Sequence, residues 1–171
     1  MPPDPPPPAG DPGGYPPPAG YPAPQQGPAG WGAPPAGLGV RFAARVIDGL
    51  IVGIGAVLLA VLFGVSRSIM VTGLFSGVLM FGYFVAMEVT QGRTLAKSLL
   101  GLRVHGPGGA AKPDLKQSAI RNCFTLLTVI PYIGGLLAFI AYLVIAVTIK
   151  DSPTRQGKHD QLAGGTQVVK G

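Results

Sequence analysis

From Val46 to Val65 the chain is apolar except for one charge, Asp48, and as a helix a run of that length is about 30 Å long, the thickness of a bilayer's hydrocarbon core. Such a segment must cross a membrane or be wrapped on all sides by protein. Arg41, Arg45 and Asp48 lead into it at spacings i, i+4 and i+7, which puts all three on one helical face. An acid inside an apolar run is costly unless it is paired or turned toward a protein interior, so the trio marks a buried polar site. The blander reading is interface anchoring, with two snorkelling arginines and an aspartate near the headgroups.

Two further apolar runs follow, Ile69 to Val89 and Tyr132 to Ile149. Ser66-Arg67-Ser68 separates the first two, which therefore form a helical hairpin. Gly49 and Gly53 make a GxxxG in the first run, and Gly73 and Gly77 make one in the second; each offers a close-packing face. Glu88, near the end of the second run, is expected to pair with Arg93 or a lipid-level cation. The stretch Thr90 to Pro113 is polar and basic, and within it Thr94 to Val104 reads as a short amphipathic helix or strand on the membrane surface, with Leu95, Leu99, Leu100 and Leu102 dipping inward. Gly92 to Ser98 is no phosphate loop, because no glycine precedes Lys97 and no strand leads into the segment. Asp114 as N-cap with Gln117 three residues on starts an amphipathic helix over about 114–130, with Gln117, Arg121, Thr125 and Thr128 on one stripe. Pro131 ends or kinks it.

The fold class expected is an all-α multi-pass membrane protein. It has three transmembrane helices, at about 46–65, 69–89 and 132–149, plus an amphipathic or re-entrant helix before the third. Composition agrees: 47% of residues are hydrophobic and 12% charged, whereas about a quarter are charged in ordinary soluble domains. Thirteen Lys and Arg against seven acids give a charge of +6, and no cation precedes Arg41. The basic excess therefore flanks the membrane segments, where it suits anionic lipid and orientation rather than nucleic acid. It places the N-terminus and the long loop in the cytoplasm and Arg67 outside. The side of the C-terminus stays open: three plain spans put it outside, and a re-entrant helix puts it inside.

Residues 1–39 are dominated by proline and glycine and read as a disordered tail with polyproline II character, ahead of a membrane domain over 40–171. The tail lacks the charged start and apolar core of a signal peptide. It is either a ligand for a partner that reads proline-rich motifs or a solvated spacer. The single Cys123 excludes an intramolecular disulfide. His105 and His159 sit in loops without metal-ligand spacing or a nucleophile, and read as solvated. Neither a catalytic residue, nor a metal, nor a cofactor is expected, and the chain does not read as an enzyme.

Three blocks of residues resemble the RDD family of membrane proteins, named for one arginine and two aspartates. Arg41-Phe42-Ala43-Ala44-Arg45-Val46-Ile47-Asp48 is similar to its opening. Gly92, Thr94, Lys97 and Gly101 resemble its G-x-T-x-x-K-x-x-x-G stretch, and Arg121 its later basic position. Arg155 to Thr166 is similar to its R-Q-x-x-x-D-x-x-A-G-T close, with one extra glycine in Gly164-Gly165 that loosens the turn. The resemblance implies Arg41, Asp48 and Asp160 as the named residues, and a bacterial plasma membrane location. A proline-rich tail ahead of the domain is similar to actinobacterial relatives, including the proline-rich antigen type. For the family, transport of ions or small ligands has been suggested.

Two functions follow. In the first, Asp48, paired with Arg41 or Arg45 and approached by Asp160 or Arg121, handles a proton or cation during translocation; three spans are few for a pathway, so a homo-oligomer or another membrane protein is expected as partner. In the second, the membrane domain is an adaptor, Arg41 and Asp48 form a structural ion pair, and the tail recruits a cytoplasmic protein.

Overall fold

The computed structural model describes residues 33–64 and 68–171, so most of the proline-rich tail and Arg67 lie outside the described residues. Three helices are long and apolar enough to cross a membrane: α1 (Leu38–Leu62), α2 (Ile69–Gln91) and α5 (Gly134–Asp151). Their outer faces carry exposed Leu50, Ile54, Leu58, Val78, Leu136 and Val147, as lipid-facing helices should. α1 begins eight residues before the apolar run, so Arg41, Arg45 and Asp48 lie within the helix. Arg41 and Asp48 are buried together with Ala44 between them, as the common-face spacing requires.

The expected helix over 114–130 is split. Asp114 and Gln117 close a capping box, in which Gln117 N donates to Asp114 Oδ1 at 2.8 Å and Asp114 N to Gln117 Oε1 at 3.0 Å. Helix α4 (Leu115–Asn122) starts there and gives way to a 3-10 segment, Cys123–Val129. A 3-10 helix rises about 2.0 Å per residue, so α4 and this segment together descend about 26 Å, against about 27 Å for α5 coming back. The two legs therefore match in length, and the chain descends and returns within residues 115–151. The descent runs deep. Thr128 and Val129 pack on Gly73 and Gly77 of α2, about 21–27 Å along that helix from Gln91. Thr125 Oγ1 donates to Asn122 O and Thr128 Oγ1 to Thr125 O, both at 2.8 Å, so two carbonyls of the irregular segment are satisfied without water. Pro131 and Tyr132, the latter with φ 64, make the turn into α5.

At the opposite end, the loops build a small platform. Gly92 caps α2 with φ 67 and Gly101 turns α3 (Leu95–Leu99) into strand β1 (Leu102–His105) with φ 61. β1 pairs antiparallel with β2 (Gln167–Lys170), Leu102 opposite Lys170 and His105 opposite Gln167. On the other edge of β2 lies the segment that enters α1, with Ala36 N donating to Val168 O at 2.9 Å and Lys170 N to Pro34 O at 3.1 Å. Ala36, Ala44, Ala96, Leu102, Val104 and Val168 form the core beneath this platform. Leu102 is thus a core residue and not an interfacial one, whereas Leu95 and Leu99 do stay exposed. The short helix α6 (Lys158–Leu162) completes this end.

The two GxxxG motifs differ. A Cβ at Gly77 would lie 2.7 Å from Val129 Cγ2 and 2.8 Å from Thr128 Oγ1, while one at Gly49 or Gly53 meets nothing within 4 Å. Gly77→Ala is therefore expected to destabilise the domain by about 1–3 kcal/mol through overpacking, and Gly49→Ala to leave it unchanged or slightly firmer. Unfolding of both variants in mild detergent checks this.

Candidate functional site

Asp48 has no cationic partner among the described residues. Its Oδ1 accepts from Tyr83 Oη at 2.7 Å and from Ala96 N at 3.0 Å, and its Oδ2 from Thr94 Oγ1 at 2.5 Å. The same Thr94 oxygen accepts from Lys97 N at 3.3 Å, and Tyr83 Oη accepts from Leu95 N at 3.1 Å. Directly or through these hydroxyls, one carboxylate meets the first three amides of α3. The expected pairing of Asp48 with Arg41 or Arg45 is overturned, because the exposed amides of a helix start are nearer and are satisfied by an acceptor.

Arg41 instead reaches the far end of the chain. Its Nη2 donates to Asp160 Oδ2 at 2.5 Å and its Nη1 to Arg155 O at 2.6 Å. Asp160 is fully buried and held from all sides. Gly157 N donates to Oδ2 and Thr166 Oγ1 to Oδ1, both at 3.2 Å, and Arg121 Nε stands 3.3 Å from Oδ1. Its backbone carbonyl accepts from Gly165 N at 2.9 Å and Thr166 N at 3.1 Å. Gly164 and Gly165 take φ values of 86° and 93°, and both amides are bonded, so the extra glycine is absorbed without slackening the turn. Gln156 Nε2 ties the same turn by donating to Gly165 O and Thr166 O.

The third acid is Glu88, equally buried. Lys97 Nζ donates to its Oε1 at 2.5 Å; Ser118 Oγ and Asn122 Nδ2 donate to its Oε2 at 3.1 and 3.0 Å; Arg121 Nε lies 3.9 Å away. Arg93 is not among its partners, since α3 folds back and brings Lys97 to it first. Arg121 thus stands between Glu88 and Asp160 and links α2 to the C-terminal segment. Arg45 forms no ion pair among the described residues. It stacks 3.6 Å above the Phe84 ring, with Phe124 at 5.2 Å, and donates to Asn122 Oδ1 at 2.9 Å.

Arg41, Arg45, Lys97 and Arg121 all line one pocket of about 70 Å³ whose other walls include Phe124, Tyr142 and His159. Burial pulls the Lys97 ammonium down to about 8, against the raising influence of Glu88. Burial likewise pulls His159 down to about 3 despite Asp160 beside it, so the imidazole is neutral at pH 7. His159 is therefore packed against Phe124 and not solvated. Burial alone would raise Asp160, but Arg121 and Arg41 outweigh it and hold the carboxyl well below the usual range.

All six residues expected at the site, Arg41, Arg45, Asp48, Lys97, Arg121 and Asp160, lie at this end of the bundle. Arg41, Arg121 and Asp160 form one unit with Glu88 and Lys97, and Asp48 forms another with Tyr83 and Thr94. Ser118 and Asn122 were not anticipated. Their i, i+4 spacing was available, but the stripe through Gln117 competed with it, and Gln117 is occupied in the capping box. Among the described residues, no group of three His, Cys, Asp or Glu could hold a metal ion.

A model of the RDD family matches residues 35–164, the greater part of the chain. No curated protein and no solved structure matches it.

Two predictions follow from the charges. Asp160→Asn strands Arg41 and Arg121, and is expected to cost about 3–5 kcal/mol; adding Arg41→Gln should cost less than the separate losses summed, which a double-mutant cycle by denaturant unfolding reads. His159 binds its proton more weakly folded than unfolded. Its contribution is therefore full above pH 6.5 and is lost as pH falls toward about 3. Asp160 loses its own only below the ordinary aspartate range. Acid lability should begin below pH 6.5 and be flattened in His159→Phe, measured by melting temperature against pH.

Proposed function

Because the chain belongs to the RDD family and its buried charges converge on one pocket at the end of three candidate spans, we propose that it handles a small charged solute at this constellation and passes it across the membrane. The observation that carries the reading is the descent of α4 and of the irregular segment Cys123–Val129 that continues it past Arg121. Irregular backbone at membrane depth is tolerated where it is buried in protein or lines a solute's path, and the Thr125 and Thr128 hydroxyls continue from the charged end along the same segment. Lys97 is the group fitted to exchange a proton, with its ammonium held near 8 and Glu88 losing its closest partner when that proton leaves.

The membrane is the bacterial plasma membrane, and both ends of the described chain face the cytoplasm. In support, every Lys and Arg among the described residues lies at the Arg41 end of the bundle. A homo-oligomer would supply the remaining walls of a pathway, and the unfilled GxxxG face of α1 is available for it. A second reading, an adaptor whose proline-rich tail recruits a partner, is supported by the stitching of Pro34 and Ala36 to β2, which fixes the tail's point of departure on the platform.

Solute flux into proteoliposomes is expected to vary with pH about a midpoint near 8 and to lose that dependence in Lys97→Arg, whose guanidinium keeps its proton. Flux unaffected by Lys97→Arg, Glu88→Gln and Asp160→Asn alike would favour the adaptor.

A further inference from the structure

The charges around the pocket do not balance. Arg41, Arg45, Lys97 and Arg121 line it, and the carboxylates that answer them are Glu88 and Asp160, which leaves a surplus of two positive charges in a site largely withdrawn from water. Asp48 keeps its own charge but does not line the pocket and pairs with no cation among the described residues, its oxygens being turned to Tyr83, Thr94 and Ala96. The surplus is localised. Arg121 is 4% exposed, its Nε serves both carboxylates, and its Nη1 is buried with no acceptor among the described residues. Arg45 lines the same pocket, stacked on Phe84 and without an ion pair among the described residues. A buried guanidinium N–H lacking an acceptor is a costly group, and a second unneutralised guanidinium in the same pocket compounds the cost. An anion lowers both costs at once, and planar forks of this type suit the oxygens of a carboxylate or phosphate.

The walls specify more than charge. Phe42, Ile145 and Ile149 line the same pocket, Phe42 is 59% exposed, and α1 and α5 touch only sparsely, so the apolar side of the pocket faces outward between two lipid-facing helices. At about 70 Å³ it holds an oxyanion group and a few carbons, not a whole amphiphile. We propose that the pocket binds one oxyanion group, a carboxylate or phosphate carried on an apolar body, with the charged group on the Arg121 and Arg45 guanidinium groups and the body lying between α1 and α5 past Phe42. This deepens the transport reading by naming the solute class, and it rests on that reading only for passage, since binding is measured apart from flux.

The test uses the full chain in nanodiscs of phosphatidylcholine, with native mass spectrometry and thermal shift as readouts. Oleate and phosphatidylglycerol probe the membrane source of the oxyanion, and benzoate and inorganic phosphate the aqueous source. Saturable binding of oleate, phosphatidylglycerol or benzoate, weakened about tenfold or more by Arg45→Gln, is the expected result, and whichever binds most tightly identifies the source; binding of inorganic phosphate alone would overturn the apolar body. Arg121→Gln should weaken it further. Because that variant also disturbs Glu88 and Asp160, Arg45→Gln, which breaks no ion pair, is the deciding one. Binding indifferent to Arg45→Gln, or a thermal shift given by sodium chloride as fully as by the oxyanions, would overturn the proposal. Oxyanion binding without flux would sink the transport reading and leave this one standing; flux of a cation with no oxyanion bound would do the reverse.

Discussion

The contact between Arg41 and Asp160 determines how the rest of the chain is threaded. It joins the first turns of α1 to a helix that follows the last span, so α5 must end at the level where α1 began. With α1 and α2 forming a simple hairpin, α5 can return to that level only if the chain between α2 and α5 first descends. The polypeptide available for the descent is short, and it meets the distance by stretching into 3-10 geometry over Cys123–Val129. Close approach to α2 then requires glycine at positions 73 and 77, and the turn back requires Pro131 and the close packing of Gly134 under Leu127 and Thr128. One ion pair between residues 119 positions apart thereby accounts for an irregular segment, a glycine motif and the location of the C-terminus.

Around that pair the charges behave as a set. Arg121 is shared by two carboxylates on different elements, and Lys97 and Arg41 each take one of them, so α1, α2, α3, α4 and α6 meet through side chains that cannot be exchanged without leaving a buried charge alone. Such networks add little net stability over an apolar core of the same volume, because the desolvation of each ion offsets its attraction. What they impose is register. A slip of one turn along α4 would move Ser118, Arg121 and Asn122 off Glu88 together, and no other residues of that helix could replace them.

The membrane class and the spans were legible because they rest on hydrophobic length, which needs no tertiary information. The common face of Arg41 and Asp48 was legible for the same reason, being a matter of helical spacing, and the capping box at Asp114 is local too. Partnership was not. Asp48 looked like the counter-ion of its own helix's arginines, yet its acceptors are filled by the start of α3, and the attraction of exposed amides leaves no trace in a charge pattern. Glu88 was assigned to its sequence neighbour Arg93, but a left-handed Gly92 and the α3 turn interpose Lys97. The strand pairing of Leu102–His105 with Gln167–Lys170 was hidden because both strands are four residues long and they lie far apart in the sequence. The motif residues make sense afterwards as geometry: Gly92 and Gly101 for left-handed turns, Thr94 and Lys97 for the two acids, Gln156 and Thr166 for the turn that holds Asp160.

The two aspartates therefore serve unlike ends. Asp48 is neutralised by dipoles, three donors that carry no formal charge, and its place is fixed whatever ion is near. Asp160 is neutralised by Arg41 and by Arg121, which it shares with Glu88, so its environment changes when any other anion competes for Arg121. A site made only of the first kind would be rigid and closed. One made only of the second would collapse without its ligand. Placing Asp48 at the base of α3 fixes Lys97, which fixes Glu88, and that leaves Arg121 and Arg45 as the cations with capacity to spare, at the wall where the bundle opens toward lipid.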